Sequence, residues 1–244
     1  MRDTTALILA AGLGKRLGEI TKDKPKVLIE VGNKTLLAQA IEFMKKIGLT
    51  NIIVVGGYYF DKVKAEAERI DPNIKLVNNT EYALQNLTSL AKALPWLDGK
   101  NVLVCNADYV FKETTAQAVA GNLKDISVYC SFDLSGNDED VMRVKTDGQG
   151  NLVEMSKQLK DFDSIFTGIF FIASQHIPEL KEITGEILKK YDTTKTTVEY
   201  LFKEFLARGK TITAQDVGPA DWLEIDTPEE LAAAQQAFNP TYQI

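Results

Sequence analysis

Leu7-Ile8-Leu9-Ala10-Ala11-Gly12-Leu13-Gly14-Lys15-Arg16-Leu17, continued after a short gap by Thr21-Lys22-Asp23-Lys24-Pro25-Lys26-Val27-Leu28, decides the fold. An apolar run that reads as a buried strand empties into a turn with two glycines, and three cations follow at Lys15, Arg16 and Lys26. Glycine lets backbone N–H groups approach a phosphate closely, because no Cβ intervenes and positive φ is cheap. Arg supplies a planar fork and Lys a point charge. The outline is that of a triphosphate cradle. Two familiar phosphate loops fail on required residues. The P-loop needs a glycine five before Gly14 and Ser or Thr after the lysine, and finds Leu9 and Arg16. The dinucleotide fingerprint needs a third glycine where Leu17 stands.

Outward from this stretch, apolar segments alternate with helical periods. Strands are expected at residues 5–10 and 27–31, a helix at 36–47 ended by Gly48, a strand at 51–55, a helix at 60–70 and a strand at 74–77. A polar stretch, 78–90, turns into a helix. Asn101 to Cys105 is a buried strand that delivers Asn106-Ala107-Asp108-Tyr109. After a helix near 114–121, residues 126–132, 141–145 and 152–155 read as antiparallel strands, with Asp147-Gly148-Gln149-Gly150 turning between the last two. Residues 166–170 return to the sheet and 176–208 read as helical. The alternation predicts an α/β, Rossmann-like, mainly parallel sheet with helices on both faces and a ligand at the carboxyl ends of its strands.

Composition narrows the partners. The chain has 244 residues, 45% hydrophobic and 25% charged, which fits one globular α/β domain. A net charge of −6 disfavours nucleic acid, while a local basic pocket suits a small anion. No apolar run reaches the ~20 residues of a membrane span. Met1-Arg2-Asp3-Thr4-Thr5 leads straight into a strand, unlike a signal peptide. Cys105 and Cys130 sit in apolar runs without metal or redox spacing, as reduced core residues of a cytoplasmic protein would. His176 is the single histidine and precedes Ile177-Pro178 at a helix start, so hydrolase triads have no second candidate base.

The pattern L-A-A-G-x-G-x-R-L…T-x-x-x-P-K-x-L resembles the signature of nucleotidylyltransferases of the nucleotide-diphospho-sugar transferase type. That resemblance implies a single domain over 1–244, with a nucleotide-binding part at about 1–110 and an acceptor-binding part at about 111–230 that includes a small antiparallel region. It implies Leu9, Ala10, Ala11, Gly12, Gly14, Lys15, Arg16, Lys26, Asn79, Asn86, Ser89 and Asn106 as nucleotide contacts. Arg16 would hold pyrophosphate, Lys26 the α-phosphate and Lys157 the acceptor phosphate, as the catalytic set. Tyr109, Lys157, Thr167, Trp222 and Glu224 would face the acceptor, with Tyr109 and Trp222 as candidate aromatic faces for a quaternary ammonium.

Magnesium is the implied cofactor. Asp108 lies just past a buried strand, where a carboxylate meets the site, and Mg²⁺ takes one or two carboxylates plus substrate phosphates. In Glu224-Ile225-Asp226 both acids face one side of a strand, so Asp226 is expected as the second ligand with Glu224 as alternate. Thr227-Pro228-Glu229-Glu230 then reads as a helix start.

Sugar-specific relatives usually carry a glycine-rich loop after the position of Asn79; here Asn86-x-x-Ser89 looks more like enzymes that cytidylylate phosphorylated alcohols. The resemblance therefore favours CTP and a small acceptor: phosphocholine, inositol 1-phosphate or aminoethylphosphonate. A sugar-1-phosphate nucleotidylyltransferase and a silent nucleotide-sensing domain are the alternatives. A stand-alone domain is expected, no membrane insertion, and a homodimer is one assembly left open.

Overall fold

A computed structural model of the chain describes residues 3–134, 140–218 and 222–238. In chain order the elements are β1 (Thr4–Ala10), β2 (Glu30–Val31), β3 (Lys34–Thr35), α1 (Leu36–Lys46), β4 (Asn51–Gly56), α2 (Phe60–Ile70), β5 (Lys75–Asn78) and α3 (Asn86–Ala93). They continue with β6 (Asn101–Asn106), β7 (Tyr109–Phe111), α4 (Glu113–Ala120), β8 (Ile126–Ser131), β9 (Arg143–Thr146), β10 (Leu152–Ser156) and β11 (Ser164–Ile172). The last are α5 (Ile177–Lys190), α6 (Glu199–Ala207), β12 (Thr213–Asp216), β13 (Trp222–Glu224) and α7 (Pro228–Phe238).

Every residue of β1 is buried, as the centre of a sheet covered on both faces requires. Its alternation feeds two cores. Leu7 and Leu9 pack into one with residues of α3, α5 and α6. Ala6, Ile8 and Ala10 pack into the other with residues of α1, α2 and α4. β1 runs parallel to β4 and β6, with Leu9 level with Val55 on one side and Asn106 on the other. Three strands thus end at one height, and the loops after β1 and β6 open one cleft. β5 extends the parallel half beyond β4, while β11 runs antiparallel to β6 and leads to β8 and to the β9–β10 hairpin.

Two expected elements differ. Residues 27–31 are not one extended segment: Pro25 is followed by a 3₁₀ turn over Lys26–Leu28, closed by the Ile29 amide on the Lys26 carbonyl at 2.9 Å, and only Glu30–Val31 is strand. The helical run at 176–208 is broken between α5 and α6, where Asp192 organises a turn through Thr194. Both cysteines are buried and unpaired, as expected.

Gly168 interrupts β11 with φ +74°, at the register shift between Phe166 and Ile169. A Cβ there would lie 2.8 Å from Tyr109 Cε2. Gly168→Ala is therefore expected to destabilise the protein by more than about 1 kcal/mol, through left-handed strain and overlap together. Urea unfolding checks it; an unchanged midpoint and slope would show that the bulge relaxes freely.

Candidate active site

The loop after β1 is built around one close contact. Gly14 is left-handed at φ +65°, and a Cβ on it would lie 2.8 Å from Lys26 Cβ. Only a residue without a side chain lets the Lys26 stem pass. Thr21 donates to the Gly14 carbonyl at 2.9 Å and fixes the turn. At Gly12, by contrast, an added Cβ would meet nothing within 4 Å, so that backbone faces open cleft.

Lys26 is 4% exposed, and its ammonium donates to Asp108 Oδ2 at 2.8 Å and to Asp226 Oδ1. Burial pulls its pKa down, but Asp108 and then Asp226 outweigh that, and the net shift is upward. Arg16 reaches Asp226 Oδ2 with one guanidinium nitrogen and Asp140 Oδ2 at 2.5 Å with another. Lys157 donates to the other oxygen of Asp140 at 2.7 Å. Burial opposes the charged form of Arg16, yet Asp226 and Asp140 raise its pKa overall.

The carboxylates arrive by two local devices. β13 pairs antiparallel with β7, setting Glu224 opposite Tyr109, and the Ile225 amide donates to the Asp108 carbonyl at 2.9 Å. The tail is thereby stitched to the end of β6. Next, Thr227 and Glu230 form a reciprocal capping box at the start of α7. The Glu230 amide donates to Thr227 Oγ1 at 3.2 Å, while Glu230 Oε2 accepts from the Thr227 amide at 2.7 Å and the Asp226 amide at 2.6 Å. Asp226 is held by its own backbone.

Asp108, Glu224 and Asp226 offer carboxylate oxygens that all lie within 4.8 Å of one another. Asp108 Oδ1 is buried and has no hydrogen-bond partner among the described residues. Three hard oxygen donors, one of them unsatisfied, fit a divalent cation such as Mg²⁺. Glu224 registers the crowding: burial first, then the charges of Asp108 and Asp226, push its carboxyl up to about 8. Burial, followed by the charge of Glu224, likewise raises the Tyr109 phenol well above its usual range.

These groups line a cleft of about 440 Å³ at the carboxyl ends of β1 and β6. Of the residues expected from sequence, Leu9, Ala11, Gly12, Gly14, Lys15, Arg16, Lys26, Asn86, Ser89, Asn106, Asp108, Tyr109, Lys157, Glu224 and Asp226 line it. Four do not. Ala10 alternates to the opposite face of β1 from Leu9 and is 1% exposed. Asn79 is fully buried, donating to Thr88 and Ser89 at 3.2 and 3.0 Å and accepting from the Glu81 amide at 2.9 Å. Thr167 spends its hydroxyl on the Tyr129 carbonyl at 2.9 Å, inside the sheet. Trp222 lies behind Tyr109, ring centroids 5.8 Å apart, and Tyr109 itself is only 5% exposed, so the pair makes no open aromatic cage.

The cleft also holds residues that sequence reasoning missed: Leu13, Tyr82, Ala83, Leu84, Gln85, Asp140, Met142, Phe166, Thr197 and Val198. The break between α5 and α6 brings the last two in. Asn86 Oδ1 accepts from the Val198 amide at 3.2 Å, and Gln85 donates to the Thr194 carbonyl at 3.0 Å.

Residues 6–186 match the MobA-like NTP transferase domain family. A 2-aminoethylphosphonate cytidylyltransferase from Lancefieldella rimae is 28% identical over 96% of this chain and 93% of its own length. A bifunctional IPC transferase and DIPP synthase from Rubrobacter xylanophilus is 26% identical over 95% of this chain, which spans only 51% of that protein. The chain covers about half, or less, of several such curated relatives. Among solved structures, the inositol-1-phosphate CTP transferase from T. maritima superposes with a TM-score of 0.81, covering 96% of this chain and 97% of that one at 18% identity. That likeness bears on the fold. Among the described residues no helix is long and apolar enough to cross a membrane.

Glu224 carries a pH signature. With its folded pKa about 8 and its usual value 4.5, the folded state binds the extra proton between these values. Its stabilising share is complete below about pH 4.5 and is lost as pH rises through about 8, by at most about 1.4 kcal/mol per pH unit. In a chelator, Glu224→Gln should therefore gain on the parent across that window. Thermal unfolding at pH 5, 6.5 and 8 tests it, and parallel curves would refute it.

Proposed function

The chain belongs to the MobA-like NTP transferase domain family, and on that premise we propose that it transfers CMP from CTP to the phosphate or phosphonate of a small alcohol, releasing pyrophosphate. One observation carries the reading: a glycine loop with Arg16 and Lys26 meets three clustered carboxylates in a single cleft that Lys157 also lines. Relatives of the chain named as cytidylyltransferases of phosphoglutamine, 2-aminoethylphosphonate and choline phosphate favour CTP and small acceptors such as aminoethylphosphonate or phosphocholine, with inositol 1-phosphate kept from the sequence resemblance.

An acceptor oxygen attacks the α-phosphorus in line; the new P–O bond forms as the bond to the bridging oxygen breaks, and pyrophosphate departs. Such transfers depend mainly on positioning and on stabilising charge at the phosphoryl oxygens. The amides around Gly12 and Gly14 cradle the triphosphate. Arg16 takes the departing pyrophosphate. Lys26, kept cationic by its two carboxylates, answers charge on the α-phosphate. Lys157 anchors the acceptor's phosphate. Asp108 and Asp226, with Glu224 beside them, would hold a Mg²⁺ ion, which supplies neutralisation of phosphoryl charge when bound.

Pyrophosphate release, with the four nucleoside triphosphates crossed against phosphocholine, inositol 1-phosphate, aminoethylphosphonate and several sugar 1-phosphates, tests the assignment. Release is expected with CTP and a non-sugar acceptor. Lys26→Ala and Asp108→Ala should each lower the rate by roughly 10²–10³-fold. Near-normal turnover in either variant, with circular dichroism showing a folded protein, would sink the reading.

A further inference from the structure

Asp140 stands where a cleft built for phosphates has no evident use for an anion. It bridges Arg16 and Lys157, which the proposed function assigns to two different substrates. The fold does not depend on this bridge. The three side chains are about half exposed, at 50%, 51% and 42%, and ion pairs in such settings contribute little to stability. Glu199, at the start of α6, is a further acid of this region: burial chiefly raises its carboxyl pKa, and Lys203 first, then Lys157, oppose that shift. Signs therefore alternate from Arg16 through Asp140 to Lys157. Beside them Thr197 Oγ1 is buried on the cleft wall without a hydrogen-bond partner among the described residues.

This array suits one kind of acceptor. A phosphate that approaches Lys157 must break the Lys157–Asp140 pair and then lie beside the carboxylate it displaced, where like charges repel. An acceptor with a cation a few bonds from its phosphorus avoids that loss by replacing the broken pair with two new ones. Oxygen acceptors on Asp140 and Thr197 favour a cation that donates N–H bonds. The buried Tyr109 and the displaced Trp222 leave no aromatic cage for a quaternary one.

We propose that Asp140 determines acceptor specificity: the acceptor carries a primary ammonium near its phosphate or phosphonate, and on binding Lys157 exchanges Asp140 for the phospho group while Asp140 takes the ammonium. This rests on the proposed function, since it concerns that reaction's acceptor.

Two compounds of nearly equal shape isolate the charge, 2-aminoethylphosphonate and n-propylphosphonate. Calorimetric titration of each, alone and with a non-cleavable CTP analogue, should show about tenfold or more tighter binding of the amine by the parent protein. Asp140→Asn should erase most of that ratio by weakening the amine alone, and Asp140→Glu should restore part of it. In pyrophosphate release the loss should fall on KM rather than kcat. Equal binding of the two phosphonates by the parent overturns the proposal, as does an Asp140→Asn variant that weakens both alike, which would mark Asp140 as merely holding Arg16 and Lys157. Discrimination in binding without pyrophosphate release in any combination sinks the transferase reading and leaves the ammonium site standing. Release that is as efficient with inositol 1-phosphate or n-propylphosphonate does the reverse.

Discussion

One buried ammonium organises this molecule. Lys26 lies between Asp108 and Asp226, which are 82 and 200 residues away in the chain. Removing either partner from such a cluster is costly, because the charges left behind remain out of water. The strand–turn from Pro25, the end of β6 and the start of α7 therefore all have to arrive together. The fold supplies the means at each point: a glycine without a side chain at position 14, a two-stranded patch between β7 and β13, and a capping box that orients Asp226.

The same centre explains the charge economy of the cleft. Asp108, Glu224 and Asp226 crowd together, and burial with the charges of the other two pushes the Glu224 carboxyl up to about 8. The outer end of the cleft is different in character. There the pairs are about half exposed, with Asp140 placing one oxygen on Arg16 and the other on Lys157. The cleft thus has a buried inner centre and an exposed outer rim.

Much of the inner centre was legible in the sequence because it depends on local rules. An apolar run ending in glycines, a carboxylate just past a strand, and acids at positions 224 and 226 on one side of Ile225 all follow from the periodicity of strands. What the sequence hid depends on three-dimensional neighbours. Nothing local says that Asn79 is consumed by Thr88 and Ser89, or that Thr167 turns its hydroxyl into the sheet. Ala10 and Leu9 differ only in which face of β1 they occupy. The cleft residues Thr197 and Val198 were masked by an apparently continuous helix, broken by the turn at Asp192. Asp140 offered no motif at all.

Glu230 deserves a last consequence. Its carboxylate accepts from the amides of both Thr227 and Asp226, so a single side chain closes the first turn of α7 and sets the backbone from which the Asp226 carboxylate projects. Fraying of that helix and loosening of the carboxylate cluster are thus one event seen from two ends. By thermodynamic linkage, whatever draws Asp226 inward must also slow amide exchange in the first turn of α7, a helix whose buried Ala234 packs into a small core of its own with Leu17, Val110 and Ile225.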